Sequence, residues 1–288
     1  MITDNVAQIY DKMDINLQII KISFKGEAVS MLPSELRKSI SCGKHQTHTS
    51  GICQDYVQAN LVVLPKEYAF DFLLFTTRNP KSCPIVEVLE AGQFQSKYAE
   101  NSDIRTDIPL YHVYEDGQLV DKKQRIDEVW RDDLVSFLIG CSFTFESQLI
   151  KGDIPLRHIE ENKNVAMYNT NIQTEKAGVF EGPMVVSMRP IPDSLVQKAT
   201  DITTLFPKMH GAPVHIGNPA EIGIPDITKP DYGDFVGIRE GETPMFWACG
   251  VTPQAVALHA KIPYMLTHSP GCMFVTDWKN EEYLQEGK

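Results

Sequence analysis

The sequence has no CxxC pair, no cluster of lysine and arginine, no glycine-rich nucleotide fingerprint and no long apolar run. Each absence removes a class of function. Apolar runs such as Leu61-Val62-Val63-Leu64 are far too short to cross a bilayer, and the N-terminus lacks the basic, apolar, small-residue order of a secretion signal. A cytoplasmic protein with no membrane partner is the expectation. With 27 Lys and Arg against 38 Asp and Glu, the formal net charge is −11. A surface this acidic repels phosphate backbones, so no nucleic-acid partner is expected. Neither GxGxxG nor a P-loop is present, which argues for no nucleotide or other organic cofactor. Without HExxH, CxxC or a carboxylate triplet, no metal is expected either. The six cysteines, Cys42, Cys53, Cys83, Cys141, Cys249 and Cys272, then read as free thiols. A homo-oligomer is compatible with all of this.

What is present is a chain of 288 residues, 42% hydrophobic, long enough to bury a large core. Residues 1–31 read as an N-terminal extension, with a short bulged strand around Ile15 to Ile22. The folded body begins at Leu32. Helices are expected from Pro33 to Gly43, from Pro65 to Thr77 and from Phe145 to Ile150, and Gly51 to Asn60 reads as a polar loop. Glu115-Asp116-Gly117 marks a hairpin. Ile126 to Ile139 carries the clearest helical periodicity, through Val129, Trp130, Leu134, Phe137 and Leu138. Short apolar strands follow at Pro183 to Arg189, Pro213 to Ile216, Pro244 to Cys249, Tyr264 to Thr267 and Met273 to Thr276. Helices at Pro192 to Phe206 and Thr252 to Lys261 alternate with them. This is the pattern of an α/β fold: a mixed sheet with flanking helices.

Ligands of open α/β sheets collect beyond strand ends, and Arg189, His215, Cys249 and His268 all fall there. Gly250 leads a strand into a helix with Thr252 placed as N-cap and Pro253 behind it. Such a turn offers free N–H groups to an anion and would lower the pKa of the Cys249 thiol. His210 and His215 flank a Gly/Pro loop as an acid and base. His268, oriented by Asp277, is another base. On a strand, His158 and Glu160 would share one face as a base and its partner. Arg189 suits a substrate carboxylate. Gln58, Asn60 and Arg78 lie in segments dense in hydrogen-bonding groups that could orient a small polar substrate. Each of these residues also has a plain structural reading, as a cap, turn or buried polar group.

The ordered motifs Tyr56-Val57-Gln58-Ala59-Asn60, Arg78-Asn79-Pro80, Gly140-Cys141-Ser142-Phe143, Arg157-His158-Ile159-Glu160, Ser187-Met188-Arg189-Pro190, His210-Gly211-Ala212-Pro213-Val214-His215, Trp247-Ala248-Cys249-Gly250 and His268-Ser269-Pro270-Gly271 resemble those of the D-glutamate cyclase family, whose bacterial members are also described as hydro-lyases. The resemblance runs from about Met31 to the end. Asp55 departs from it, standing where family members carry glycine. It implies two intertwined α/β parts, which we expect at 32–110 with 215–288, and at 111–214 as an insertion. It also implies conversion of D-glutamate to 5-oxo-D-proline and water. That chemistry needs a small carboxylate substrate held in a folded conformer, a base for its amine and a donor for the departing oxygen. Catalytic roles then fall to His158, Glu160, His210, His215 and His268. Substrate binding falls to Gln58, Asn60, Arg78, Arg189, Cys249, Gly250 and Thr252. The alternatives are dehydration of another small carboxylic acid, or a non-catalytic protein that binds an acidic metabolite.

Overall fold

The structure, a computed structural model, describes residues 31–286. The expected bulged strand near Ile15 to Ile22 lies outside them. Strands and helices combine as the sequence pattern requires, in two sheets with helices against them, and every strand pair is antiparallel.

The larger sheet holds seven strands. They are β1 (Tyr56–Pro65), β2 (Ile85–Leu89), β3 (Tyr111–Glu115), β4 (Gln118–Lys123), β5 (Leu134–Gly140), β10 (Tyr264–His268) and β11 (Phe274–Lys279). The order is β2-β5-β1-β10-β3-β4, with β11 also on β1. The smaller sheet is β6 (Ala166–Gln173), β7 (Pro183–Pro192), β9 (Glu242–Ala248) and β8 (His215–Ile216), in that order. One continuous stretch of chain, 166–248, supplies the smaller sheet. The strands at 111–140 pair in the larger one.

Strand β1 organises the molecule. From Val57 to Pro65 it is buried throughout, a run closed on both faces. The polar loop expected up to Asn60 is therefore strand from Tyr56 onward. One edge of β1 pairs with β5. The other pairs first with β11, up to Ala59 opposite Phe274, and then with β10, from Val62 opposite Thr267. Asn60 and Leu61 sit where one partner hands over to the next. Leu61 and Val63 point into one apolar cluster with Val113, Leu138 and Leu266. Val62 and Leu64 point into the other, with Phe72, Phe137 and Met265.

Helix α1 (Pro33–Ser41) and α2 (Lys66–Arg78) form as expected. So does the hairpin, whose Asp116 and Gly117 both have positive φ, as a two-residue primed turn needs. A Cβ on Gly117 would also stand 2.6 Å from the Leu258 carbonyl. The helix expected at Ile126 to Ile139 is not formed. A single 3-10 turn (Asp127–Val129) precedes β5. Phe137, Leu138 and Ile139 are all buried because β5 is closed on both faces between β1 and β2. Consecutive apolar residues of that kind mimic part of a helical stripe.

Helices α3 (Phe143–Lys151), α4 (Arg157–Glu160), α5 (Val196–Thr204), α6 (Thr252–His259) and α7 (Asn280–Glu286) complete the described fold. No described helix is long and apolar enough to cross a membrane.

Candidate functional site

The end of β5 leads through Cys141 and Ser142 into α3. The first turn of α3 carries Glu146, a carboxylate that is 2% exposed. From the smaller sheet, Arg189 on β7 reaches it. Arg189 Nε donates to Glu146 Oε1 at 2.9 Å, and Nη2 donates to the same oxygen. Nη1 donates to Ser187 Oγ and Nη2 to Ser142 Oγ, each at 3.0 Å. The guanidinium also lies 5.4 Å from the ring centres of Phe145 and Trp247. His158 on α4 brings Nε2 to 3.0 Å from Glu146 Oε1, off the axis of a good hydrogen bond, so this contact is electrostatic. Burial alone would raise the Glu146 pKa, but electrostatic attraction to His158 and Arg189, with the Arg189 hydrogen bonds, outweighs it and holds the carboxyl below its ordinary value.

This triad corrects one expectation and narrows another. His158 and Glu160 lie in one turn of helix, where a separation of two residues points them apart; His158 is buried and Glu160 exposed. The partner of His158 is Glu146, which sequence reasoning missed. A lone carboxylate inside Phe143-Thr144-Phe145-Glu146-Ser147-Gln148-Leu149 was the available signal, because a charge on an apolar helix face needs a buried partner. Arg189 already makes four hydrogen bonds. Its main role is to fix Glu146, and only one of its five N–H groups is left for a ligand.

The turn into α6 packs beside the triad. Cys249 shares an apolar cluster with Cys141, Val251 and Met273. Gly250 lies against Asn60, so closely that a Cβ would overlap the amide. Asn60 in turn donates to the carbonyls of Ile139 and Gly140, at 3.2 and 2.9 Å, which locks β1, the end of β5 and the α6 turn together. Thr252 does not cap the helix; Val251 occupies that position without a side-chain bond. The Thr252 hydroxyl instead bonds Val185 N at 2.9 Å and Cys249 O at 2.7 Å, pinning α6 to β7. Burial pushes the Cys249 thiol up to about 11, against the expected lowering at a helix start. Desolvation outweighs the dipole here, and the thiol is protonated at neutral pH.

Of the remaining expected residues, His210 and His268 come close to this junction. His210 has left-handed φ, is fully buried and places Nδ1 2.8 Å from the Lys81 carbonyl. His268 fills the handover gap on β1. Its Nδ1 lies 3.1 Å from Leu61 N and 3.2 Å from Leu61 O, replacing a strand partner. Burial lowers both imidazoles to about 4, so both are neutral at pH 7. Asp277 does not orient His268; it is paired with Arg37 at 2.8 Å. Gln58 is spent on its own loop, accepting from Thr49 Oγ1 and donating to Ile52 O, each at 2.8 Å.

Two residues lie apart. His215 is on β8, with Nε2 at 2.8 Å from the Asn218 carbonyl in an exposed loop. Arg78 is exposed at the end of α2 and donates to the Lys176 carbonyl, while Asn79 bonds Glu175. That motif staples the 174–182 loop to α2. Among the described residues no group of three or more His, Cys, Asp or Glu is placed to hold a metal ion. An open surface cavity of about 630 Å³ beside Tyr98 and Trp278 contains none of the triad.

Comparison with known proteins agrees with the motifs. Residues 135–277 match the family described as D-glutamate cyclase, a span that holds Glu146, His158, Arg189, Gly250 and His268. A "Putative hydro-lyase" of Clostridium beijerinckii is 57% identical over 251 residues, covering 87% of this chain and 96% of its own. Similarly named proteins of Geobacillus kaustophilus and Psychrobacter arcticus are 56% and 52% identical, over 88% and 89% of this chain and 97% and 98% of theirs. The chain belongs to this D-glutamate cyclase and hydro-lyase family. A solved nitrogen repressor-like protein, MJ0159 from Methanococcus jannaschii, overlays with a TM-score of 0.36 and 10% identity over 83% of this chain and 96% of that one, too distant to bear on fold or function.

Proposed function

We propose that the chain is a hydro-lyase that cyclises D-glutamate to 5-oxo-D-proline with loss of water. The observation that carries the reading is the buried Glu146–His158–Arg189 triad at the junction of the two sheets. A base must take a proton from the substrate amine, and we assign that role to the His158 imidazole beside Glu146. The Glu146 carboxylate stabilises the imidazolium that forms, and Arg189 keeps that carboxylate ionised. The amine nitrogen then bonds the γ-carboxyl carbon. The nitrogen gives up a second proton as this bond forms, the C–O bond breaks, and the carboxylate oxygen leaves as water carrying both protons, the one His158 had taken and the one released from nitrogen. Protons balance within the site, so none need be exchanged with solvent. We assign the α-carboxylate to the Gly250 turn and the remaining Arg189 N–H, which would fix the carboxyl that reacts.

The relatives' names specify loss of water and no substrate, which keeps a second reading open. Dehydration of another small carboxylic acid would use the same triad on a carbon-bound proton. The test is turnover of D-glutamate by wild type, Glu146→Gln and His158→Asn. Both variants should lose at least about 100-fold in rate, the usual contribution of a positioned base. Variants that fold and turn over D-glutamate like wild type would remove the triad from the mechanism.

A further inference from the structure

The Glu146 carboxylate is engaged at one oxygen only. Arg189 Nε, Arg189 Nη2 and His158 Nε2 all meet Oε1. Oε2 has no hydrogen-bond or ion-pair partner among the described residues, and it is not one of the polar atoms that burial seals from water. The carboxyl is held ionised, so Oε2 carries negative charge on a side chain that is only 2% exposed. A buried anionic oxygen without a donor is costly. Its complement is a small cationic donor.

Ser142 adjoins it. This residue precedes α3 with helical φ and ψ of −61° and −20°, so Ser142 and Glu146 stand four residues apart on one helical face. Both are bonded to the same nitrogen, Arg189 Nη2, which donates to Ser142 Oγ at 3.0 Å and to Glu146 Oε1. The Ser142 hydroxyl accepts in that bond and has no acceptor of its own among the described residues, so its proton is free to donate. One guanidinium nitrogen thus holds a hydroxyl donor and an anionic acceptor side by side. An α-amino acid carries the complementary pair on one carbon: a carboxylate that accepts and an ammonium that donates.

We propose that Glu146 Oε2 binds the substrate ammonium and the Ser142 hydroxyl its α-carboxylate, so that the site takes an α-amino acid in preference to a plain or hydroxy acid. This rests on the cyclisation reading and deepens it, because the nitrogen so held is the one that attacks. Ser142 joins the last Arg189 N–H on the carboxylate. The arrangement also eases the proton step. Before it, the cation is the ammonium at Oε2. When an N–H bond breaks and its proton passes to the His158 imidazole, the cation is the imidazolium beside Oε1. Glu146 faces a cation in both states, so no buried charge is left unpaired.

Calorimetric titration of the full chain with D-glutamate, D-2-hydroxyglutarate and glutarate tests it, read from the binding heat that precedes any turnover heat. The three share both carboxylates and differ only at the α-carbon. Wild type should bind D-glutamate at least about tenfold more tightly than either analogue, the scale of one hydrogen bond to a charged group. Glu146→Gln should erase most of that preference. Ser142→Ala should weaken all three by about three- to tenfold and keep the preference. The ligand series on wild type decides the ammonium contact even if Glu146→Gln fails to fold. Equal affinity of wild type for all three, or a Glu146→Gln protein that keeps the preference, would overturn the ammonium contact. Unchanged affinities in Ser142→Ala would overturn the carboxylate contact. Turnover of D-glutamate by wild type without the preference sinks the ammonium contact and leaves the cyclisation reading standing; the preference without turnover does the reverse. Absence of both sinks the two together.

Discussion

Replacing Arg189 by methionine tests the energetics of the triad. The guanidinium is 1% exposed and supplies four hydrogen bonds, two of them to Glu146 Oε1. Arg189→Met leaves a buried carboxylate facing only His158. Removing one partner of a buried ion pair costs about 3–5 kcal/mol. At roughly 2–4 °C per kcal/mol for a domain of this size, the melting temperature should fall by about 6–20 °C. Glu146→Gln should cost a similar amount, because it strands the guanidinium. The double variant carries neither charge, so its loss should be smaller than the sum of the single losses by about 1–3 kcal/mol. Urea unfolding of all four proteins measures this coupling. Additivity within about 0.5 kcal/mol, or a fall of under 2 °C for Arg189→Met, would show that the two side chains do not form the buried pair described.

Other consequences follow from the same geometry. Gly250→Ala should destabilise the protein by about 1–3 kcal/mol through overlap with Asn60, and adding Asn60→Ser should restore part of it, as read by thermal melting. Cys42 is exposed while the other five cysteines are buried, so a disulfide reagent should modify about one thiol quickly in the native protein. With its thiol held near 11, Cys249→Ser should retain turnover within a few fold; loss of all activity would point to a nucleophilic cysteine. Stability should be nearly level from about pH 7 to 8, fall at higher pH as the unfolded chain ionises thiols that stay protonated when folded, and fall between about 6.5 and 4. In that window the unfolded chain protonates histidines that stay neutral when folded at 112, 210 and 268, so acid favours unfolding. Glu146 adds to the loss below its unfolded pKa, since its folded pKa is depressed. A melting temperature unchanged from pH 7 to 4.5 would contradict this.

Much of the fold was legible because periodicity and turn chemistry report it directly, as at α1, α2 and the Asp116-Gly117 hairpin. Reading failed where burial on both faces erases periodicity. β5 reads as a helix because Phe137, Leu138 and Ile139 face two apolar clusters at once. The N-terminal half of β1 reads as a loop because Gln58 and Asn60 are polar, although each makes specific buried bonds. The candidate residues were legible as types near strand ends, and in the fold Gly250 packs on Asn60, His268 bonds Leu61, and His158 and Arg189 both meet Glu146. Their pairings were not legible. Glu146 lies twelve positions from His158 and meets it across separate elements, while the adjacent Glu160 points away.

The central claim is the reaction, and chiral product analysis addresses it most directly. Purified protein incubated with D-glutamate should yield 5-oxo-D-proline, with little or none of the enantiomer from L-glutamate, and Glu146→Gln should yield none above the spontaneous background. Absence of 5-oxoproline from either enantiomer after long incubation, with the protein folded, would contradict the account.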